Sequence, residues 1–109
     1  MSEVIFNFKD KHVLVLGGSK GIGLEVCKQF KEAGAVITSI ARSSCKISDV
    51  NSIICDITNL DKLRNALKTI KTVDILVNVA GTNLCESIEN ISLDEWDRVI
   101  NTNLKSFFV

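Results

Sequence analysis

The residues best suited to chemistry stand in one short segment, Leu16-Gly17-Gly18-Ser19-Lys20-Gly21-Ile22-Gly23. The glycines at 17, 21 and 23 are spaced G-x-x-x-G-x-G. A pyrophosphate needs several backbone N–H groups at close range with no side chain in the way. Glycine gives that access and permits φ > 0 in a tight turn. A helix starting at Gly21 would add its unpaired N–H groups and the positive end of its dipole, and Gly23 would let that helix approach the preceding strand closely. Ser19, Lys20 and Ile22 lie within the same turn and count with it. The alternative is a glycine-rich turn that holds nothing. A nucleoside-triphosphate loop is excluded, because no Gly-Lys-Ser/Thr follows the turn.

The kind of dinucleotide is read roughly 20 residues further on, where an Asp or Glu bonds the ribose 2′-OH in NAD sites. Here the segment is Ser39-Ile40-Ala41-Arg42, with no acid. Arg42 stands where a guanidinium could fork onto a 2′-phosphate, and Lys20 could approach the same group. The reading is NADP(H) as preferred cofactor with NAD(H) as the second option. Its alternative is that Arg42 and Lys20 are merely exposed charges.

These residues need elements to place them. His12–Leu16 is a short, branched, apolar run that stops at Gly17, which reads as a strand buried on both faces. Gly21–Ala33 carries Ile22, Val26, Phe30 and Ala33 at helical spacing, and Gly34 ends it. Ala35–Ile40 reads as a second strand and Arg42–Val50 as a polar loop. Ser52–Cys55 reads as a third strand. Thr58 with Asp61 reads as the N-cap pair of a helix running to about Ile70. Val73–Val77 reads as a fourth strand, Thr82–Asn90 as a loop, and Ser92 with Glu95 as a capping box. The stripe Trp96, Val99, Ile100, Leu104 and Phe107 continues to the chain end, and Trp96 is expected in the core.

Strands that alternate with helices imply parallel strands joined by right-handed crossovers. The fold class expected is α/β, a Rossmann-type doubly wound parallel sheet in the order 3-2-1-4. No repeat, linker or low-complexity tract divides the chain. The alternation runs to Phe107-Phe108-Val109 without a stop signal. The expectation is therefore one incomplete dinucleotide-binding domain over residues 1–109, truncated after about four strands. Its fourth strand would then be left as an apolar edge.

The motifs together resemble the N-terminal part of the short-chain dehydrogenase/reductase family. Gly17, Gly21, Ile22 and Gly23 match that family's T-G-x-x-x-G-I-G, with Leu16 in place of the threonine. Asp56, followed by Ile57, resembles the Asp that bonds the adenine amino group. On residue type alone Asp56 could instead be a helix cap. Asn78-Val79-Ala80-Gly81 resembles N-N-A-G, with Val79 departing from the second Asn; the family's backbone there lies near the adenosine ribose, and Asn78 also ties strands together. Glu95 to Ile100 resembles the start of the next helix, and Asn103 the family's catalytic-helix Asn. The resemblance implies hydride transfer between a nicotinamide and a small carbonyl or alcohol, 3-oxoacyl reductases included. It also implies a Tyr general acid/base, with a Lys and a Ser, further along. This chain contains no tyrosine, so no turnover by it alone is expected.

Composition removes several function classes. Thirteen basic and thirteen acidic side chains give zero formal charge, which suggests neither nucleic acid nor an anionic membrane as partner. No apolar run approaches the roughly 20 residues of a membrane span. The N-terminus lacks the apolar stretch of a signal peptide. Cys27, Cys45, Cys55 and Cys85 form no C-x-x-C pair. They read as reduced, small apolar residues of a cytoplasmic protein, with no metal. His12 reads as a strand-start residue. Three functions remain: an oxidoreductase present as its cofactor-binding part, a non-catalytic dinucleotide-binding module, or an interaction module that pairs through its apolar edge. A homo-oligomer is expected only of a full-length form.

Overall fold

The computed structural model describes residues 5–81 and 89–105, with side chains as far as 103. Four strands and three helices follow in the order β1 (His12–Leu16), α1 (Gly21–Glu32), β2 (Val36–Ala41), β3 (Asn51–Ile54), α2 (Leu60–Lys68), β4 (Ile75–Asn78) and α3 (Leu93–Ile100), the last running into a π-helical turn, Asn101–Lys105; β2 and β3 are joined by a loop where strict alternation would put a helix. All pairings are parallel and the strand order is β3-β2-β1-β4. This is the doubly wound order expected from the sequence, with β1 between β2 and β4.

The register follows from burial. β1 lies inside the sheet and buries both faces. Val13 and Val15 point to one side with Cys27, Ala35 and Ile37; Leu14 and Leu16 point to the other with Ile40, Cys55, Ile57, Leu63 and Ala66. Successive side chains of a strand alternate, so a one-residue slip would exchange the two cores. His12 opens β1, where its Nε2 shares a 2.8 Å hydrogen bond with Thr38 Oγ1 across to β2.

Several local expectations are corrected. Helix α2 is capped by Asn59, whose side chain accepts from Lys62 N, and not by Thr58. Thr58 is engaged by Asp56 instead. In α1 the fully buried positions are Gly23 and Cys27, whereas Ile22 is 75% exposed. The buried line is turned by one residue because glycine at 23 lets that face sit closest to the sheet. Trp96 is 53% exposed rather than core. No residue of α3 is buried, because among the described residues nothing packs over its outer face. Ser92 does cap α3, accepting from Glu95 N at 3.1 Å. The Glu95 carboxylate turns to Arg98, accepting from Nε and Nη2 at 3.3 and 3.0 Å. Cys85, most of the Thr82–Asn90 loop, the Leu104 side chain and Phe107 to Val109 lie outside the described residues.

Candidate functional site

The site forms where β1 ends between two neighbours. Leu16 pairs with Ile40 of β2 on one side and Asn78 of β4 on the other. Two further bonds fix the chain beyond it: Gly17 N donates to Ile40 O at 2.8 Å, and Val79 N to Leu16 O at 3.0 Å. Strand crossovers run in opposite directions from β1, so a crevice opens at the carboxyl ends of the strands.

Two glycines are required by this geometry. Gly17 has φ +91°, and a Cβ there would meet the Ala80 backbone N at 2.9 Å. A Cβ on Gly23 would run into the Gly17 carbonyl oxygen. The helix thereby sits directly against the turn, and its N-cap residue, Lys20, lines the crevice. α2 and α3 are each capped by a side chain, but α1 is not. Its N-cap is Lys20, in extended conformation, and it makes no side-chain capping bond. Gly21, at φ +58°, has open space where its side chain would be.

The crevice is a cleft of about 390 Å³, within the range of small-molecule sites. Seven of the residues picked from the sequence line it: Gly17, Ser19 and Lys20 from the turn, Arg42 after β2, Ile57 after β3, and Ala80 and Gly81 after β4. Gly21, Ile22, Gly23, Asp56, Asn78 and Asn103 do not. Gly21 and Gly23 shape the turn from behind. The Asn78 side-chain oxygen accepts from Ala80 N at 3.2 Å and so holds the chain that carries Ala80 and Gly81. Asn103 stands beside Gly81, whose Cβ would meet Asn103 Oδ1 at 3.3 Å.

Asp56 is occupied. Its carboxylate accepts from Thr58 N at 3.0 Å and Thr58 Oγ1 at 2.7 Å, and its other oxygen is 3.8 Å from Arg42 Nη2. The Thr58 hydrogen bonds, with help from the charges of Arg42 and Lys62, hold the carboxyl below the usual aspartate range. Cys55, on the cleft wall, is the opposite case: burial and the neighbouring Asp56 charge push its thiol up.

Sequence reasoning missed several lining residues, above all Ser43, Cys55, Arg98 and Thr102. Arg98 and Thr102 are four residues apart on one face of the α3 segment, a spacing that could have marked them together. The described cleft wall thus carries three cations, Lys20, Arg42 and Arg98; Arg42 and Arg98 have carboxylate partners just off it, Asp56 at 3.8 Å and Glu95 at 3.0 Å. A cleft of that charge beside an uncapped helix N-terminus is suited to a phosphorylated ligand.

The described residues offer no cluster of His, Cys, Asp or Glu able to hold a metal ion. None of their helices is long and apolar enough to cross a membrane.

Known proteins agree with this geometry. The model of the family described as short chain dehydrogenase matches residues 11–109. A 3-oxoacyl-(acyl-carrier-protein) reductase from Vibrio harveyi is 32% identical over 94% of this chain and 47% of its own length. An NAD-dependent glycerol dehydrogenase from Listeria innocua is 30% identical over 95% of this chain and 46% of its own. Among solved structures, a short chain dehydrogenase from Leptospira borgpetersenii with bound NAD+ superposes with a TM-score of 0.86 at 26% identity, covering 99% of this chain and 47% of that one. The chain spans about half the length of the curated relatives it matches. With the strand order, the glycine turn and a family match over nearly all its residues in accord, the chain belongs to the short-chain dehydrogenase family, whose members use NAD(P)(H).

Proposed function

We propose that this chain is the dinucleotide-binding part of an NADP(H)-dependent oxidoreductase acting on a small carbonyl or alcohol. The observation that carries the reading is the uncapped start of α1 beside a cleft lined by Lys20, Arg42 and Arg98, whose arginines lean on Asp56 and Glu95. Backbone N–H groups of the Gly17–Gly23 turn bind the pyrophosphate, and Ser19 adds its hydroxyl. Ile57, Ala80 and Gly81 flank the adenosine, as their place on the cleft wall supports. Asp56 orders the strand end behind them through Thr58. Arg42 and Lys20 favour a cofactor bearing a 2′-phosphate. When bound, the nicotinamide supplies hydride exchange with the substrate carbon. Asn103, held near Gly81, positions water for the accompanying proton. The similarity to the Vibrio harveyi reductase supports a 3-oxoacyl compound as one candidate substrate class.

Equilibrium titration with NADPH and NADH tests the reading. Tighter NADPH binding is expected. Equal affinities, or tighter NADH, would overturn the 2′-phosphate assignment, and binding of neither would overturn the site.

A further inference from the structure

Lys20 and Arg42 are given to the 2′-phosphate, which leaves Arg98 as the cation of the cleft wall without a part. It comes from a different side of the sheet. Arg42 follows β2, whereas Arg98 lies in α3, after β4, and those strands flank β1 on opposite sides. α3 is the next described helix after Ala80 and Gly81, which are assigned to the adenosine. Arg98 is also held differently. Its Nε and Nη2 both donate to Glu95 Oε2, at 3.3 and 3.0 Å, and Glu95 is itself anchored by its backbone N–H to Ser92 Oγ at 3.1 Å. Two donors on one oxygen fix the plane of the guanidinium, and the carboxylate meets its charge. Arg42 stands farther from its carboxylate, at 3.8 Å, and no described carboxylate lies within ion-pair distance of Lys20. The wall therefore holds two cations open to a phosphate, and a third whose charge is already met and whose plane is fixed. The same wall is apolar at Ile40, Ile57 and Ala80.

We infer that Arg98 holds the adenine of the dinucleotide, its guanidinium plane lying on the base while Glu95 keeps that plane in place. The inference rests on the cofactor reading above and names a residue for the base. A base presents an uncharged π-face. A planar, weakly hydrated guanidinium stacks on such a face as an ammonium does not. The apolar wall at Ile57 and Ala80 takes the remaining ring surface. A phosphate would have to displace Glu95 from Arg98 first, whereas stacking leaves that pair intact. Glu95 is thus a positioning residue, acting on the base only through Arg98. NADPH and NADH carry the same adenine, so Arg98 adds equally to the affinity for each and takes no part in choosing between them.

The test titrates NADPH and NADH into the unaltered chain and into Arg98→Ala, Arg98→Lys and Glu95→Gln, with thermal denaturation to check that each variant is folded. Arg98→Ala is expected to weaken both cofactors by the same factor, about three- to tenfold. Arg98→Lys should recover little of that loss. Glu95→Gln should weaken both about two- to threefold, because the guanidinium is no longer held in plane. A second measurement needs no variant to fold. In the unaltered chain the Arg98 Nε–H signal should move upfield in NMR spectra at saturating NADPH, and equally with ADP-ribose, which carries the adenine but no nicotinamide. A phosphate role for Arg98 predicts otherwise: Glu95→Gln would tighten binding, and Arg98→Lys would keep most of the affinity. Either result would overturn the inference, as would unchanged affinity in Arg98→Ala or an Nε–H signal that stays in place. An unaltered chain that binds neither cofactor would instead overturn the cofactor reading, and the inference with it.

Discussion

Arg42 Nη2 lies 3.8 Å from Asp56 Oδ2, so the cation assigned to the cofactor's 2′-phosphate has a carboxylate partner within the chain. The side chains are 72% and 47% exposed, and such pairs are worth under about 1 kcal/mol. A dianionic phosphate should therefore displace Asp56 readily. Arg42→Ala is expected to weaken NADPH binding about tenfold to a hundredfold while changing NADH binding little. Asp56→Asn removes the internal competitor. The ratio of NADPH to NADH affinity should then rise about two- to fivefold. Any contact between Asp56 and the adenine cancels in that ratio, because both cofactors carry the same base.

Acid should reveal the Asp56 hydrogen bonds. Its carboxyl is lowered in the folded chain, first by Thr58. A group with a depressed folded pKa stabilises fully above its unfolded value, about 3.9 for aspartate, and loses that contribution as pH falls through the folded one. Thr58→Ala should lower stability at neutral pH by a modest amount, about 1 kcal/mol or less given the exposure. It should cost progressively less as pH drops below about 4. Urea denaturation of both proteins across that range checks the convergence.

The glycines at 21 and 23 should respond differently to a methyl group. Gly21 sits at φ +58° with open space around it, so Gly21→Ala costs backbone strain alone, about 1–2 kcal/mol. At Gly23 the methyl meets the Gly17 carbonyl, which cannot turn aside as a side chain would. Gly23→Ala should cost about 3 kcal/mol or more and abolish cofactor binding, because the helix is pushed off the turn. Thermal denaturation with NADPH titration separates the two.

The two side-chain caps should respond alike in urea denaturation: Asn59→Ala should destabilise by about 1 kcal/mol through α2, and Ser92→Ala by a similar amount through α3. Packing gives a contrast by the same measurement: Leu63, 1% exposed, should cost about 2–5 kcal/mol as alanine, and Leu93, 81% exposed, less than about 0.5 kcal/mol.

The strands and the glycine turn are legible because each rests on local pattern, and the order 3-2-1-4 then follows from the doubly wound rule. The run Val13–Leu16 is apolar on both faces, the second strand puts Ile37 on one face and Ile40 on the other, and Gly17 marks where the chain turns. The cap of α2 was misread by one residue. Thr58 and Asn59 are both good caps, and only the bond from Thr58 to Asp56 frees Asn59 for the role. Trp96 was misplaced because an apolar stripe says which face is apolar but not whether anything covers it. The Arg42–Asp56 pair and the entry of Arg98 and Thr102 into the cleft depend on spatial neighbours. The pairing of Ala41 with Ile54 brings the ends of β2 and β3 together, and no spacing along the chain contains that register.

The central claim is that the turn from Gly17 to Gly23 grips a dinucleotide through its backbone. The most direct measurement follows the amide signals of the nitrogen-labelled chain by NMR as NADPH is added. The account predicts that the largest shifts fall on residues 18–23, with Arg42 and Gly81 following at the same ligand concentration. Saturating NADPH that leaves the 18–23 amides unmoved, or moves only signals outside the cleft, would contradict it.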